Sequence, residues 1–172
     1  MESKQFGVIP EGFNIPYGEE THKRTFVQLC VKVKNTILGK IAYSCPTSSW
    51  RVRLHRWRGV HIGQGAYIGM RCYIDNLYPE LIYIEDNASI NANSVVLTHF
   101  NPRKVYSRII HAEANPVLIK KYSVISVNSI IMPGTTIGEY AMVAAGSVVY
   151  DDVEDKTLVR GNPAKKVGKL KL

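Results

Sequence analysis

The sequence predicts a mainly β protein, a parallel β-helix wound from hexapeptide repeats, and three observations carry that reading. An aliphatic residue recurs every six positions at Ile119, Ile125, Ile131, Ile137, Val143 and Val149. A small residue or Thr stands four places after most of these, at Ser123, Ser129, Thr135, Ala141 and Ser147. The same step returns upstream at Ile62, Ile68 and Ile74, and again at Ile84, Ile90 and Val96. A fixed hexapeptide period marks a β-helix. An amphipathic helix places apolar residues at i, i+3, i+4 and i+7, so a step of six drifts round its surface. Hairpins require turn signals at longer, irregular spacing.

Three flat faces of six residues make a coil of about eighteen, with one inward side chain per face stacking on its equivalent about 4.8 Å along the axis. Aliphatic residues suit the stacked interior and small ones the corners. Ile119, Ile137 and then Val153 to Val159 fall on successive coils. Two phase breaks interrupt the array. Ile74 to Ile84 spans ten residues, so Leu77, Tyr78, Pro79 and Glu80 form an extruded corner. Val96 to Ile119 spans twenty-three, and the segment FNPRKVYSRIIHAEAN from Phe100 loses the period altogether. An insertion into a repeat array is extruded as a loop on one face, commonly the binding face. His99 stands at its foot. The chain divides into an irregular and helical basic region over 1–59, the coils over 60–157 with an extruded loop over 100–116, and a tail over 158–172.

The 172 residues suffice for one continuous core. Cys30, Cys45 and Cys72 sit at no metal-like spacing, and Cys72 fills a small-residue slot of the repeat, so packing and a reducing cytoplasmic compartment are expected. The start, MESKQFGVIPEGF, lacks the basic-then-apolar pattern of a leader. No stretch approaches the roughly twenty apolar residues of a membrane span.

Formal net charge is +8, and it is unevenly placed: no Asp or Glu occurs between Lys23 and Arg58. Phe26, Cys30, Val33, Ile37 and Ile41 recur there at helical spacing, flanked by Lys23, Lys32, Lys34 and Lys40. After Pro46, Ser48 is placed to cap a second helix with Trp50, Leu54 and Trp57 on one face, Arg51, Arg53, Arg56 and Arg58 round it, and Gly59 at its end. One reading is a helical cap over the open end of the solenoid. A second gives the region 23–58 an additional peripheral contact with anionic lipid at the inner face of a membrane. Nucleic acid is not an expected partner, because no recognition motif accompanies the charge.

Of five histidines, four read as structural or solvated. His22 lies in the irregular N-terminal segment, His55 in the arginine-rich helix as a solvated residue, His61 at the edge of the first coil and His111 within the loop. His99 follows Val95, Val96, Leu97 and Thr98, where a coil meets the insertion, and is the candidate for chemistry. A neutral imidazole accepts the proton of an attacking hydroxyl near pH 7.

The hexads, the run INANSVVLTHF, the long loop after the Thr-His pair, the stretch SVISVNSIIMPGTTIGEYAMVAAGSVV and the close RGNPAKKV together resemble the hexapeptide-repeat acyltransferases, within them the sugar and polysaccharide O-acetyltransferases. The likeness covers about Val60 to Val167. It implies a left-handed β-helix, a homotrimer with active sites between neighbouring subunits, and acetyl-CoA as co-substrate. It matches His99 to the family's catalytic histidine, acting as general base in direct transfer. Ala144 and Ala145 match the small-residue turn along which the pantetheine arm lies, and Val127 a neighbouring position where relatives often carry Ser. Lys165 matches a basic residue near the CoA phosphates, with Arg160 and Lys166 beside it.

On the acceptor side the chain departs from the pattern. Arg71 stands where galactoside-type relatives carry an acceptor-contacting Asn, and Asp75 and Asn76, beside the extruded corner, are the other candidates for a sugar hydroxyl. The N-terminal region resembles the polysaccharide-biosynthesis branch more than the simple sugar acetyltransferases. The expected activity is therefore O-acetylation of a saccharide acceptor, of a bacterial surface polysaccharide or its precursor. The alternatives are N-acetylation of a nucleotide-linked amino sugar and a non-catalytic β-helical scaffold. A metal-dependent hydratase on the same fold requires three His ligands. Only His61 and His99 flank regular coils, so no metal is expected.

Overall fold

The structure is a computed structural model and describes residues 10–14, 26–106 and 108–171; His22 and Lys23 lie outside the described residues. Each hexad contributes a short strand whose aliphatic residue points inward, and parallel pairing between coils gathers these strands into three faces. The first face stacks His61–Ile62, Ile82–Ile84, Val117–Ile119 and Thr136–Ile137, and Ile137 bridges on to Val153. The second stacks Tyr67–Ile68, Ser89–Ile90, Val124–Ile125, Met142–Val143 and Thr157–Arg160. The third stacks Tyr73–Ile74, Val95–Val96, Ile130–Ile131 and Val148–Val149. Four complete coils result, and a fifth begins at Val153 and Val159. This is a parallel β-helix.

The inward columns, such as Ile68, Ile90, Ile125 and Val143, are fully buried. Each such side chain contributes about 1.5–3 kcal/mol by leaving water. Between the columns, Ser94, Ser123, Ser129 and Ser147 are buried but satisfied: Ser94 Oγ donates to the Ser126 carbonyl at 3.0 Å, and Ser129 Oγ to that of Ala144 at 3.1 Å. The corners turn through left-handed residues, among them Arg71, Asn93, Asn128 and Gly146 between the second and third faces. That conformation favours Gly and Asn.

Two helices precede the coils, α1 (Phe26–Ser44) and α2 (Ser48–Arg58). Thr47, not Ser48, is the N-cap residue, and Ser48 Oγ instead accepts the Ile68 N–H at 3.4 Å. Gly59 (φ 106°) ends α2 in a Schellman arrangement, its N–H reaching Arg56 and that of Val60 reaching His55.

The buried side of α2 differs from the expected one. Arg51, Val52, Leu54, His55 and Arg58 face the coils, whereas Trp50 and Trp57 point outward. The reason lies in the first coil. Along the solenoid, the carbonyls of Ile84, Ile90 and Val96 accept N–H groups of Gly63, Gly69 and Asp75 from the coil below. The equivalent carbonyls of Ile62, Ile68 and Ile74 have no coil beneath them. Three arginines of α2 take its place, one per face. Arg56 donates to Ile62 and Gly63, Arg51 Nε to Ile68 at 2.7 Å, and Arg58 Nη2 to Ile74 at 3.0 Å and to Asp75. The helical-cap reading therefore holds for α2. His55 is buried rather than solvated, with Nδ1 accepting from Arg58 Nη1 at 2.8 Å. On α1, Asn35 and Ala42 are buried, and the predicted apolar stripe lies on the opposite, exposed side.

Two outcomes follow. Arg51→Ala leaves the Ile68 and Cys45 carbonyls unpaired and is expected to cost about 2–4 kcal/mol in denaturant unfolding, against less than about 0.5 for exposed Arg53→Ala. Burial, then the charges of Arg58 and Arg51, lower the His55 pKa from 6.5 to about 3. Its contribution to stability is complete above 6.5 and is lost as pH falls toward 3, on the order of 3 kcal/mol by pH 4. Melting curves of the wild type against His55→Gln measure that slope.

Candidate active site

Both phase breaks fall at the same corner, between the third and first faces, one coil apart. The lower excursion places Asp75 immediately after Ile74 and forms a short turn of 3-10 helix at Pro79–Leu81. The upper one leaves the coil after Val96. His99–Phe100 pairs antiparallel with Glu113–Ala114, which in turn pairs with Phe13–Asn14. This small sheet fixes the foot of the loop, and Asn115 N–H returns to the Thr98 carbonyl at 2.7 Å.

Stacking the two excursions brings Asp75 under His99. Asp75 Oδ2 lies 2.6 Å from His99 Nδ1 and accepts the Thr98 N–H and Oγ1, each at 2.9 Å. Its Oδ1 accepts the Leu77 N–H at 2.8 Å. A carboxylate only accepts, so His99 donates from Nδ1, and its Nε2 is left as the basic nitrogen. Tyr78 meets the imidazole edge-on, with ring centroids 5.8 Å apart. Asp75 is 0% exposed. Burial pushes its carboxyl up, but the N–H groups of Thr98 and Leu77 and the contact with His99 outweigh burial and hold it below the ordinary value. Asp75 is ionised at neutral pH and orients the ring.

Asp75 is thus the partner of His99, and a sugar hydroxyl has no access to it. Asn76 Oδ1 accepts from Arg58 Nη2 at 2.6 Å and lines a hollow of about 440 Å³ with Lys40, Tyr43, His55, Arg58 and Tyr73. Arg71 occupies a different corner, between the second and third faces, so the chain does not bring it to His99. His111 lies exposed in the loop, and His61 stacks on Tyr83 with ring centroids 4.5 Å apart. Thr98 and Arg58 were missed in the sequence. The Thr-His pair carried a signal for Thr98. Arg58 carried none, because an arginine in a basic helix reads as solvated.

The corner of Arg71 holds the second group of expected residues. Gly146 N–H donates to the Val127 carbonyl at 3.0 Å and Asn128 N–H to that of Ala92 at 3.1 Å, so Val127, Ala144 and Ala145 form one column. A Cβ on Gly146 would meet nothing within 4 Å, so the corner is open. At its C-terminal end Arg160 pairs in register with Lys165. Lys165 and Lys166 both line a hollow of about 230 Å³ with Asp151 and Asp152, and Lys166 is held by Glu154 at 2.8 Å.

His99 lies three residues beyond Val96, and Ala145 four before Val149, on opposite sides of the third face. At about 3.3 Å per residue the two corners are on the order of 20 Å apart. Reacting groups must meet within about 3–3.5 Å.

A β-helix with a carboxylate-oriented histidine at an extruded loop and an open small-residue corner defines the class of the hexapeptide-repeat acyltransferases, and comparison with known proteins narrows it. No family model matches the chain. YvoF of Bacillus subtilis (strain 168), named as an acetyltransferase, is 32% identical over 133 residues, 76% of this chain and 73% of its own length. SAR0816 of Staphylococcus aureus (strain MRSA252), similarly named, is 31% identical over 143 residues, 83% and 85% of the two chains. The dTDP-3-amino-3,6-dideoxy-α-D-galactopyranose 3-N-acetyltransferase of Aneurinibacillus thermoaerophilus is 54% identical over 48 residues, 28% of this chain and 25% of that one. Among solved structures, the hexapeptide-repeat acetyltransferase VCA0836 of Vibrio cholerae matches with a TM-score of 0.72 at 23% identity, covering 86% of this chain and 95% of its own. A galactoside acetyltransferase in complex with coenzyme A matches with a TM-score of 0.63 at 17% identity, over 87% and 85%. The chain belongs to the hexapeptide-repeat acetyltransferase family.

Asp75→Asn sets an amide among four donors and is expected to cost about 2–4 kcal/mol at neutral pH. The stability that ionised Asp75 supplies is present above the ordinary carboxylate range and is lost as pH falls through its depressed value. Acid unfolding therefore narrows the gap between wild type and variant, which melting temperatures at neutral pH and below about pH 3 measure.

Proposed function

We propose that this protein transfers an acetyl group from acetyl-CoA to a saccharide hydroxyl, on a bacterial surface polysaccharide or its precursor, as a homotrimer of left-handed coils. The Asp75–His99 pair carries this reading. His99 Nε2 takes the proton of the acceptor hydroxyl as the oxygen attacks the thioester carbonyl. The tetrahedral intermediate collapses, the C–S bond breaks, and the same nitrogen returns the proton to the CoA sulfur. The products are an acetyl ester and free CoA, with no acyl-enzyme. Ala144, Ala145 and Val127 line the pantetheine arm, where small side chains let backbone amides approach it. Arg160 and Lys165 face the phosphates, with Lys166 a lesser contributor because Glu154 holds it.

The trimer is supported by two observations. One protomer keeps His99 and the Ala145 corner a face apart, so a neighbour's corner must complete each site. The third face, which lies between them, presents Tyr73, Val95, Ile130 and Val148 outward, a column with no charged residue. Arg71, at the N-terminal end of the donor corner, is the proposed acceptor contact across the boundary between subunits; Asn76 is a weaker one. The thiol state of Cys30, Cys45 and Cys72 accords with a cytoplasmic enzyme.

A second reading is N-acetylation of a nucleotide-linked amino sugar, favoured by the 48-residue match to such an enzyme. Only the acceptor changes. Mass spectrometry of candidate glycans and amino sugars incubated with protein and acetyl-CoA decides between them, since one added acetyl group names the acceptor. His99→Ala is expected to lower kcat about 10²–10⁴-fold with little change in KM for acetyl-CoA. Lys165→Ala is expected to raise that KM and spare kcat. Unchanged CoA release by His99→Ala, with a competent acceptor, would overturn the assignment in favour of a scaffold.

A further inference from the structure

Helix α1 is inverted relative to the protein it belongs to. Its inner side carries Asn35, Gly39 and Ala42, and Gly39 approaches so closely that a Cβ would lie 2.7 Å from Asn76 Oδ1. Its outer side carries Phe26, Leu29, Val33, Ile37 and Ile41, the first 78% exposed and the others about half exposed. The stripe runs from Phe26 to Ile41, about 23 Å at 1.5 Å per residue. The chain's own core gains nothing from it, so the apolar face suits something outside the protomer.

Helix α2 adds a second outward face. Trp50 and Trp57 stand two turns apart with about half of each exposed, and the Arg53 guanidinium lies 5.0 Å above the Trp50 ring. Exposed Lys34 and Lys40 rim α1, and no acidic residue interrupts the sequence from Lys23 to Arg58. Among the described residues no helix is long and apolar enough to cross a membrane. Apolar stripe, tryptophans and flanking cations together are the signature of a helix lying in the plane of a bilayer interface.

We propose that the outward faces of α1 and α2 dock this protein on an anionic lipid bilayer. Charge selects this occupant over a second copy of the chain. Two such faces brought together would oppose Lys34, Lys40 and Arg53 to their own equivalents with no carboxylate on either helix, whereas anionic headgroups neutralise them. The uncharged third face is the better surface for self-association. Docking also has a geometric consequence for the activity proposed above, on which the lipid contact itself does not depend. α2 underlies the first coil and His99 leaves the second, about 4.8 Å higher along the axis. With α2 about 10 Å across, an acceptor held at the lipid surface then lies on the order of 15 Å from the level of the catalytic corner.

The test uses the full chain with vesicles of phosphatidylcholine, alone or with roughly one-third phosphatidylglycerol. Trp50 and Trp57 are the two tryptophans of the chain, so its emission reports the docking face directly. The expected result is flotation with the anionic vesicles and a blue shift of emission, with binding about tenfold weaker to phosphatidylcholine alone or at high salt. Val33→Asp combined with Ile37→Asp is expected to abolish flotation while transfer to a soluble acceptor and the oligomeric state persist. Arg53→Glu is expected to weaken binding to the anionic vesicles severalfold. The proposal is overturned by unchanged emission and no flotation with anionic vesicles. It is equally overturned if the double variant dissociates the oligomer, because the stripe is then a contact between copies. Loss of acetyl transfer by wild type with every acceptor tried would count against the proposed function and leave the flotation result standing.

Discussion

Everything in this protein depends on a coil finding another coil at its edge. In a parallel β-helix each coil offers its carbonyls to the one below and its N–H groups to the one above, so interior coils satisfy one another and the first and last do not. The first coil is the harder case, because it leaves the carbonyls of Ile62, Ile68 and Ile74 facing outward from the solenoid. Arg56, Arg51 and Arg58 answer them, one arginine for each face. An arginine presents five donors on a planar fork, so a single side chain replaces the missing N–H and holds a neighbouring carbonyl as well. This explains why α2 combines so much positive charge with so much burial.

The same arginine set joins the cap to the site. Arg58 secures the Asp75 carbonyl and the Asn76 side chain. The Asp75 carboxylate in turn holds His99 through Nδ1. The histidine is therefore positioned from two directions. The small antiparallel sheet at the loop's foot fixes its backbone, and a buried carboxylate with four accepted contacts fixes its ring. The excursions that carry these residues come from coils 22 residues apart at Ile74 and Val96, yet the register Tyr73↔Val95 and Ile74↔Val96 superposes them.

The coils were legible because inward stacking demands an aliphatic residue at every sixth place, and that demand is written directly into the chain. His99 was legible for a related reason, since an interruption stands out against a strict period. Asp75 stands beside a turn in the sequence, where a carboxylate looks exposed and open to a sugar hydroxyl, and only the next coil closing over it makes it the partner of His99. His55 looks solvated in the sequence for the opposite cause, and nothing there marks Arg58 as buried. Composition presents a basic helix as solvated, and only the unpaired edge of the first coil shows why its charges turn inward. The apolar stripe of α1 was visible as a stripe, but periodicity does not say which way a stripe faces.

By itself the sequence determined the repeat, the two interruptions and the histidine at the larger one, because each depends on spacing along the chain. Tertiary structure alone decided that the interruptions share a corner, that Asp75 orients His99, that the arginines cap three faces and that α1 shows its apolar side to the outside. These are relations between residues that the register brings together from one coil to the next. A period of six fixes where each side chain sits within its own coil, and contacts across coils exist only once the coils have stacked.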